Sequence, residues 1–170
     1  MSAHRKLGRP TDQRIAILKN LVTDLIQHGK IQTTEARAKE VKKIADKLIA
    51  QAVAQSDNFT SKAQKVTRAK THKGQKLTMT KESKTGQVDY EVIDRETVEE
   101  MVTVDNPARL HARRKAMKWI NKVEGVNVVN ILFDEVAPKL KDRQGGFVRM
   151  YKLGQRRGDA AEMVLLEIIQ

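Results

Sequence analysis

The chain has 170 residues, with 33 Lys and Arg against 21 Asp and Glu, a net charge of +12 and no cysteine. This length allows one domain with a real core, or one domain plus an appendage, and a cationic excess of this size favours a polyanionic partner, usually nucleic acid. Disulfides, thiolate metal sites and cysteine nucleophiles are excluded, and no apolar run approaches the roughly 20 residues that span a bilayer.

Residues 1–10 hold Arg5, Lys6 and Arg9 beside Gly8 and Pro10, with almost nothing to bury. They read as a basic arm, disordered when free, that threads between phosphates on binding. A helix is expected from Thr11 or Asp12 to His28, with Ile15, Leu18, Val22, Leu25 and Ile26 as its core stripe and Leu21 widening it. Arg14 and Lys19 fit a phosphate contact and a solvated face equally well. Gly29 suits the position just past a helix end, and Lys30–Gln32 is long enough only for an edge strand. Thr33 or Thr34 can cap the next helix, with Glu35 favouring its positive end. That helix runs to about Gln55, with Val41, Ile44, Ala45, Leu48, Ile49 and Ala52 inward. Arg37 and Lys39 lie in its first turns, and Lys42, Lys43 and Lys47 fit a solvated face as well as a binding one.

Charge reverses sharply in the middle of the chain. Residues 61–84 carry eight basic and one acidic side chain, and residues 85–105 carry one basic and seven acidic. Residues 56–105 read as an insertion into a single 1–170 domain. Leu77–Lys81, a turn at Lys84–Gly86 and Val88–Ile93 predict a β-hairpin. Thr97–Val104 fits a strand and a helix equally. The basic half could reach across a polyanion, whereas the acidic half suits water or a basic protein.

Asn106-Pro107 restarts a helix, Asn as cap and Pro at the first helical position, running to about Lys122. Arg109, Arg113, Arg114, Lys115 and Lys118 make it the most cationic helix, with Leu110, Met117, Trp119 and Ile120 as its apolar side. Trp119 reads as core rather than as a base-stacking group. Asn127 caps a short helix over Val128–Val136, with Leu132, Phe133 and Val136 inward and Pro138 ending it; Val128 and Val129 also suit a strand. A basic loop (Lys139, Lys141, Arg143) leads to Gly145-Gly146. Phe147–Leu153 and Glu162–Ile169 should pair antiparallel with the second run central, and either could accept the Lys30–Gln32 edge. The fold class is α+β: three to four helices on a small sheet of about three strands, with the insertion apart.

Catalytic patterns are missing: no phosphate-binding glycine loop, no His-Glu-x-x-His, no Gly-x-Ser-x-Gly. His4, His28, His72 and His111 match no ligand spacing, so no metal, cofactor or small-molecule substrate is expected. Aromatics are only 4%, a poor supply of stacking platforms. What recurs is a cation on every irregular segment: Arg5, Lys6 and Arg9; Arg37; Lys139, Lys141 and Arg143; Arg156 and Arg157 in the last strand-to-strand loop. Arginine's planar fork matches phosphate in two hydrogen bonds, and cations pointing several ways suit packing into a folded RNA better than lying on a linear duplex.

His4-Arg-Lys-Leu-Gly-Arg9, Leu18-Lys-Asn-Leu-Val22 and Ile31-Gln-Thr-Thr-Glu-Ala-Arg-Ala-Lys-Glu-Val41 closely resemble the N-terminal half of the bacterial large-subunit ribosomal protein seventeen family. Asp134-Glu-Val-Ala-Pro-Lys139, Arg143-Gln-Gly-Gly-Phe147 and Lys152-Leu-Gly-Gln-Arg-Arg-Gly-Asp-Ala-Ala-Glu-Met163 resemble its end. The resemblance covers roughly residues 1–55 and 106–170; residues 56–105 depart from the family's compact pattern. It implies a mixed α/β domain bound to large-subunit ribosomal RNA near the polypeptide exit tunnel, beside other subunit proteins, notably protein thirty-two, with no enzyme activity. It points to His4, Arg5, Lys6, Arg9, Arg37, Arg143, Arg156 and Arg157 as RNA-facing; Arg14, Arg109, Arg113, Arg114, Lys139 and Lys141 join them on charge alone. The N-terminus shows no secretory h-region, so a cytosolic protein, in the ribosome, is expected. The competing reading is a free sequence-nonspecific nucleic-acid-binding protein, such as a DNA-packaging protein, which requires a dimerisation seam that the sequence does not show. An RNA-modifying enzyme would require a cofactor loop or an acid–base pair.

Overall fold

Leu18, Val22, Leu25 and Ile26 recur at three- and four-residue steps and are buried in helix α1 (Thr11–His28), which ends at the expected His28. A computed structural model describes residues 5–72, 75–82 and 89–169. The chain divides into two units, Met1–Phe59 with Asp105–Gln170, and Thr60–Val104.

In the first unit, Gly29 closes α1 with φ +75°, its N–H on the Leu25 carbonyl at 2.9 Å. A left-handed residue here ends the helix and turns the chain at once into strand β1 (Lys30–Thr34). Helix α2 (Glu35–Ala54) follows without a loop and buries Val41, Ile44, Ala45, Leu48, Ile49 and Ala52, the expected stripe. Thr34 is at its N-cap, but neither it nor Thr33 caps through a side chain: Thr34 Oγ1 makes no cap bond, and Thr33 is buried in the sheet.

Helix α3 (Pro107–Met117) opens with proline in the first turn, as expected, but Asn106 does not cap it. Its side-chain amide donates to Asn58 Oδ1 at 2.7 Å instead. The helix stops short of Lys122 because α1 captures the chain. The Asn121 N–H donates to Thr23 Oγ1 at 2.9 Å, and Asn121 Nδ2 donates to Asn20 Oδ1 at 2.5 Å. Its buried face also differs from the expected one. Arg109, Ala112 and Ala116 turn inward, while Leu110 and Met117 are exposed; only Ile120 of the expected apolar set is fully buried, with Trp119 half-buried. Small side chains let this helix sit close.

Asn127 caps the next helix by accepting the Asn130 N–H at 3.2 Å. It begins as α4 (Val128–Asn130), widens into a π-helical turn (Ile131–Val136) that buries Leu132 and Phe133, and runs on as α5 (Ala137–Lys139). Pro138 therefore does not end it. The wider π turn meets the proline in the first residues of α5, where a missing N–H is tolerated.

Strand β8 (Val148–Gln155) pairs antiparallel with β9 (Glu162–Ile168), and β9 pairs antiparallel with β1, giving the order β1-β9-β8. The last strand is central and takes the Lys30 edge on its free side, settling the alternative that the sequence left open. Val164, Leu166 and Ile168 face the helices, and alternate residues put Lys30, Glu167 and Arg149 in one row on the outer face. A register shift between Lys152 and Gly154 bends the end of β8.

The second unit is all strand: β2 (Phe59–Ala69, begun in the first unit), β3 (Thr71–His72), β4 (Gln75–Lys76), β5 (Thr78–Glu82), β6 (Asp89–Ile93) and β7 (Arg95–Asp105, ending in the first unit). They pair as β2-β7, β3-β4 and β5-β6. The expected hairpin is there, with Met79 opposite Val92 and Thr80 opposite Glu91; its turn, Lys84–Gly86, lies outside the described residues. Thr97–Val104 is a strand. Among the described residues of this unit no side chain is fully buried.

Candidate nucleic-acid interface

The expected cations sort by what already holds them. Arg109 is 5% exposed. It donates to the Ser56 carbonyl, to Asp134 Oδ1 at 2.7 Å and, at 3.5 Å, to the Gln55 carbonyl, and it pairs with Asp105 at 2.8 Å. Its guanidinium lies 5.2 Å from the Phe59 ring centre and 5.5 Å from that of Phe133. Arg113 stands beside it, 3.2 Å from Asp105, over Phe133 at 5.4 Å and bonded to Asn130. Arg14 is 8% exposed and reaches Thr11 Oγ1 at 3.3 Å. Arg14 and Arg109 are therefore turned into the fold, away from the exposed cations, and Arg109 is held there by its internal partners.

The N-terminal segment is docked from Arg5 onward. Leu7 packs on the core with φ +54°, and Lys6–Arg9 closes a turn with the Arg9 N–H on the Lys6 carbonyl at 3.2 Å. Arg5 pairs with the buried Glu40 at 3.4 Å. This segment is thus a fixed turn presenting Lys6 and Arg9 rather than the expected free arm; His4 lies outside the described residues.

The loop after β8 has two arginines with different work. Arg156 grips Asp159 through Nε at 2.5 Å and Nη2 at 2.7 Å, and Asp159 also accepts the Ala161 N–H at 3.2 Å. These bonds hold the Asp159 carboxyl well below the usual carboxylate range, Arg156 foremost. Two backbone bonds, Arg156 N–H to Ala161 O and Ala160 N–H to Arg156 O, both 3.1 Å, complete the loop. Arg157 is left exposed at its tip. Lys141 is bonded to Asp57, which lowers that carboxyl's pKa and raises the lysine's. Arg143 reaches only its own loop, donating to the Gly145 carbonyl at 3.3 Å.

Among the described residues, Lys6, Arg9, Arg37, Arg114, Lys139 and Arg157 make no ion pair within the chain. Arg37 is half-buried and the others are exposed. The second unit behaves differently. Its basic strand lies against its acidic one: Lys65 pairs with Glu99 at 3.8 Å, Arg68 with Glu100 at 2.7 Å and Lys70 with Asp94 at 2.8 Å. Residues 60–104 carry nine basic and seven acidic side chains, so nearly all the net charge belongs to the first unit. The reversal of charge in the sequence is thus a pair of complementary strands. Among the described residues no cluster of His, Asp or Glu could hold a metal ion, and no helix is long and apolar enough to cross a membrane.

The family model for ribosomal protein L17 matches residues 17–90 and 93–169. The chain belongs to the ribosomal protein L17 family. It is 61% identical to large ribosomal subunit protein bL17 of Acetivibrio thermocellus and 58% identical to that of Ruminiclostridium cellulolyticum, covering 99% of this chain and 100% of each relative. The bL17 of Clostridium perfringens is 37% identical with the same coverage. A ribosomal L17 protein is a structural component of a ribonucleoprotein and not an enzyme. The family match runs through most of residues 56–105, the segment that the motif resemblance leaves out.

Lys43, Lys47, Lys115 and Lys118, noted in the sequence as helix-surface cations but not as site residues, converge from α2 and the end of α3 around Trp119. The signal was there: lysines four apart on one helix and three apart on another each share a helical face.

Proposed function

We propose that this chain is a structural constituent of the large ribosomal subunit, working in translation in the bacterial cytoplasm by binding and bracing folded large-subunit ribosomal RNA. The observation that carries the reading is the sorting of charge. The first unit carries nearly all of the net charge and leaves cations unpaired on its N-terminal turn, its helix ends and its loop tips, while the second unit is close to neutral and pairs Lys65, Arg68 and Lys70 with its own acids. Contacts of this kind fix register and orientation on a phosphate backbone without reading sequence. Lys6, Arg9, Arg37, Arg114, Lys139, Arg143 and Arg157 are the proposed RNA contacts, with Lys141 at the rim through an exposed pair that exchanges readily with phosphate and Arg5 also at the rim while it still faces the buried Glu40. Arg156 serves as the brace that presents Arg157. Relatives that are named as large ribosomal subunit proteins support the assignment to that subunit.

The proposal extends, on the motif resemblance, to a seat near the polypeptide exit tunnel with protein thirty-two as a neighbour; crosslinking and mass spectrometry of the intact subunit check it. The RNA contacts are tested by filter retention of protein-free large-subunit RNA over a range of salt. Removing one cation that neutralises a phosphate reduces the salt slope by roughly 0.7 to 0.9. Arg157→Gln and Arg114→Gln should each flatten the slope by about that amount. Unchanged slopes for both would remove these residues from the interface.

A further inference from the structure

A groove of about 400 Å3 runs between α2 and the end of α3. Lys43 and Lys47 line one side, Lys115 and Lys118 the other, and Gln51 lies along it. Ile44 and Leu48, both buried, form part of its floor with the half-buried Trp119. Lys43 shares the buried Glu40 at 3.5 Å; no acidic side chain lines the groove itself. Four lysines from two helices thus surround the chain's one tryptophan, and like charges brought near one another favour an anion between them. The volume is that of a small-ligand site, and the combination of an aromatic wall, cations at the rim and an amide is what an unpaired nucleotide requires: a π face for the base, ammoniums for the phosphates on either side, and a donor and acceptor for the base edge.

We infer that this groove binds one unpaired nucleotide of an RNA strand, its base against Trp119 and its flanking phosphates on Lys43, Lys47, Lys115 and Lys118. The inference rests on the RNA-binding reading above and adds to it a single-strand site distinct from the loop-tip phosphate contacts. A duplex does not fit, because its bases are stacked away from the tryptophan.

The test uses the full chain and its single tryptophan. Binding of a short oligouridylate, of the same length of RNA duplex and of protein-free large-subunit RNA is read by filter retention, alongside Trp119 emission and its quenching by acrylamide. Oligouridylate should be retained, shift the emission and shield Trp119 from acrylamide, and the duplex should leave the emission unchanged. Lys115→Gln with Lys118→Gln should flatten the oligouridylate salt slope by about 1.4, and Trp119→Leu should weaken retention about tenfold or more, with Trp119→Phe recovering part of it. Retention of oligouridylate without any change at Trp119 would overturn the site. So would retention of the large-subunit RNA with none of oligouridylate, which leaves the broader RNA-binding reading intact. Retention of neither RNA would overturn that reading itself. If an acidic peptide shields Trp119 and oligouridylate does not, the groove is a protein site.

Discussion

Replacing Arg109 with Ala should unfold the first unit far more readily than its place in the most cationic helix suggests. The guanidinium joins three parts of the fold: the exit from α2 through the Gln55 and Ser56 carbonyls, the base of β7 through Asp105, and the π turn through Asp134 and Phe133. Both carboxylates recover something when it is removed. Asp134 is 54% exposed and rehydrates, and Asp105 keeps Arg113 at 3.2 Å. The losses that stay are a charged hydrogen bond to the Ser56 carbonyl, roughly 1.5–3 kcal/mol, and the cation between two rings, about 0.5–1 kcal/mol for each. The total is about 3 kcal/mol, the low end for breaking a buried pair. Urea unfolding followed by Trp119 emission reports on this unit, and at a slope of about 2 kcal/mol per molar the midpoint should fall by about 1.5 M. Arg109→Lys keeps the charge but not the fork and should recover less than half of that loss. Arg114→Ala, exposed on the same helix, should stay within about 0.5 kcal/mol of the parent. A midpoint for Arg109→Ala equal to that of Arg114→Ala would refute the structural role.

Gly29→Ala places a Cβ on a residue at φ +75° and should cost about 1–2 kcal/mol in the same urea assay; a neutral result would mean that the corner relaxes. Asp159, held low by Arg156, binds its proton less readily in the folded loop than in the unfolded chain. Its contribution is therefore complete above the ordinary value of about 3.9 and is lost only as pH falls through the depressed folded value. Carbon-detected NMR of the Asp159 carboxyl should show no midpoint near that ordinary value, and Arg156→Gln should bring one there. Phe133→Ala removes a fully buried ring that also carries two arginines, and should cost roughly 3–5 kcal/mol; a loss below about 1 kcal/mol would show that the π turn is not part of the cooperative core.

The parts of the fold legible in the sequence were those governed by one local rule. The 3.6-residue spacing of Leu18, Val22, Leu25 and Ile26, the glycine after His28 and the apolar run Val164–Ile168 each name an element without knowledge of its neighbours. Helix α3 was misread because its packing is tertiary: Ala112 and Ala116 face inward to allow close approach, and Leu110 and Met117 are left outside. The same applies to the arginines. Arg14 is four residues before Leu18 on the core stripe, and Arg109 continues the Ala112–Ala116 face, so their positions carried a burial signal that charge alone obscured. In the middle of the chain the basic and acidic blocks were visible, but their antiparallel pairing was not, because pairing depends on the turns between them. Of the candidate site, the loop cations were legible; which of them the fold keeps for itself was not.

The central claim, a place in the large ribosomal subunit held by charge, is tested most directly by sedimenting a cell lysate through a gradient at moderate and at high salt and following this chain by antibody. Co-migration with the large subunit through the high-salt wash is the expected result. A chain that stays at the top of the gradient, or leaves the subunit at modest salt, would contradict the claim and identify a loose nucleic-acid binder with the family's fold.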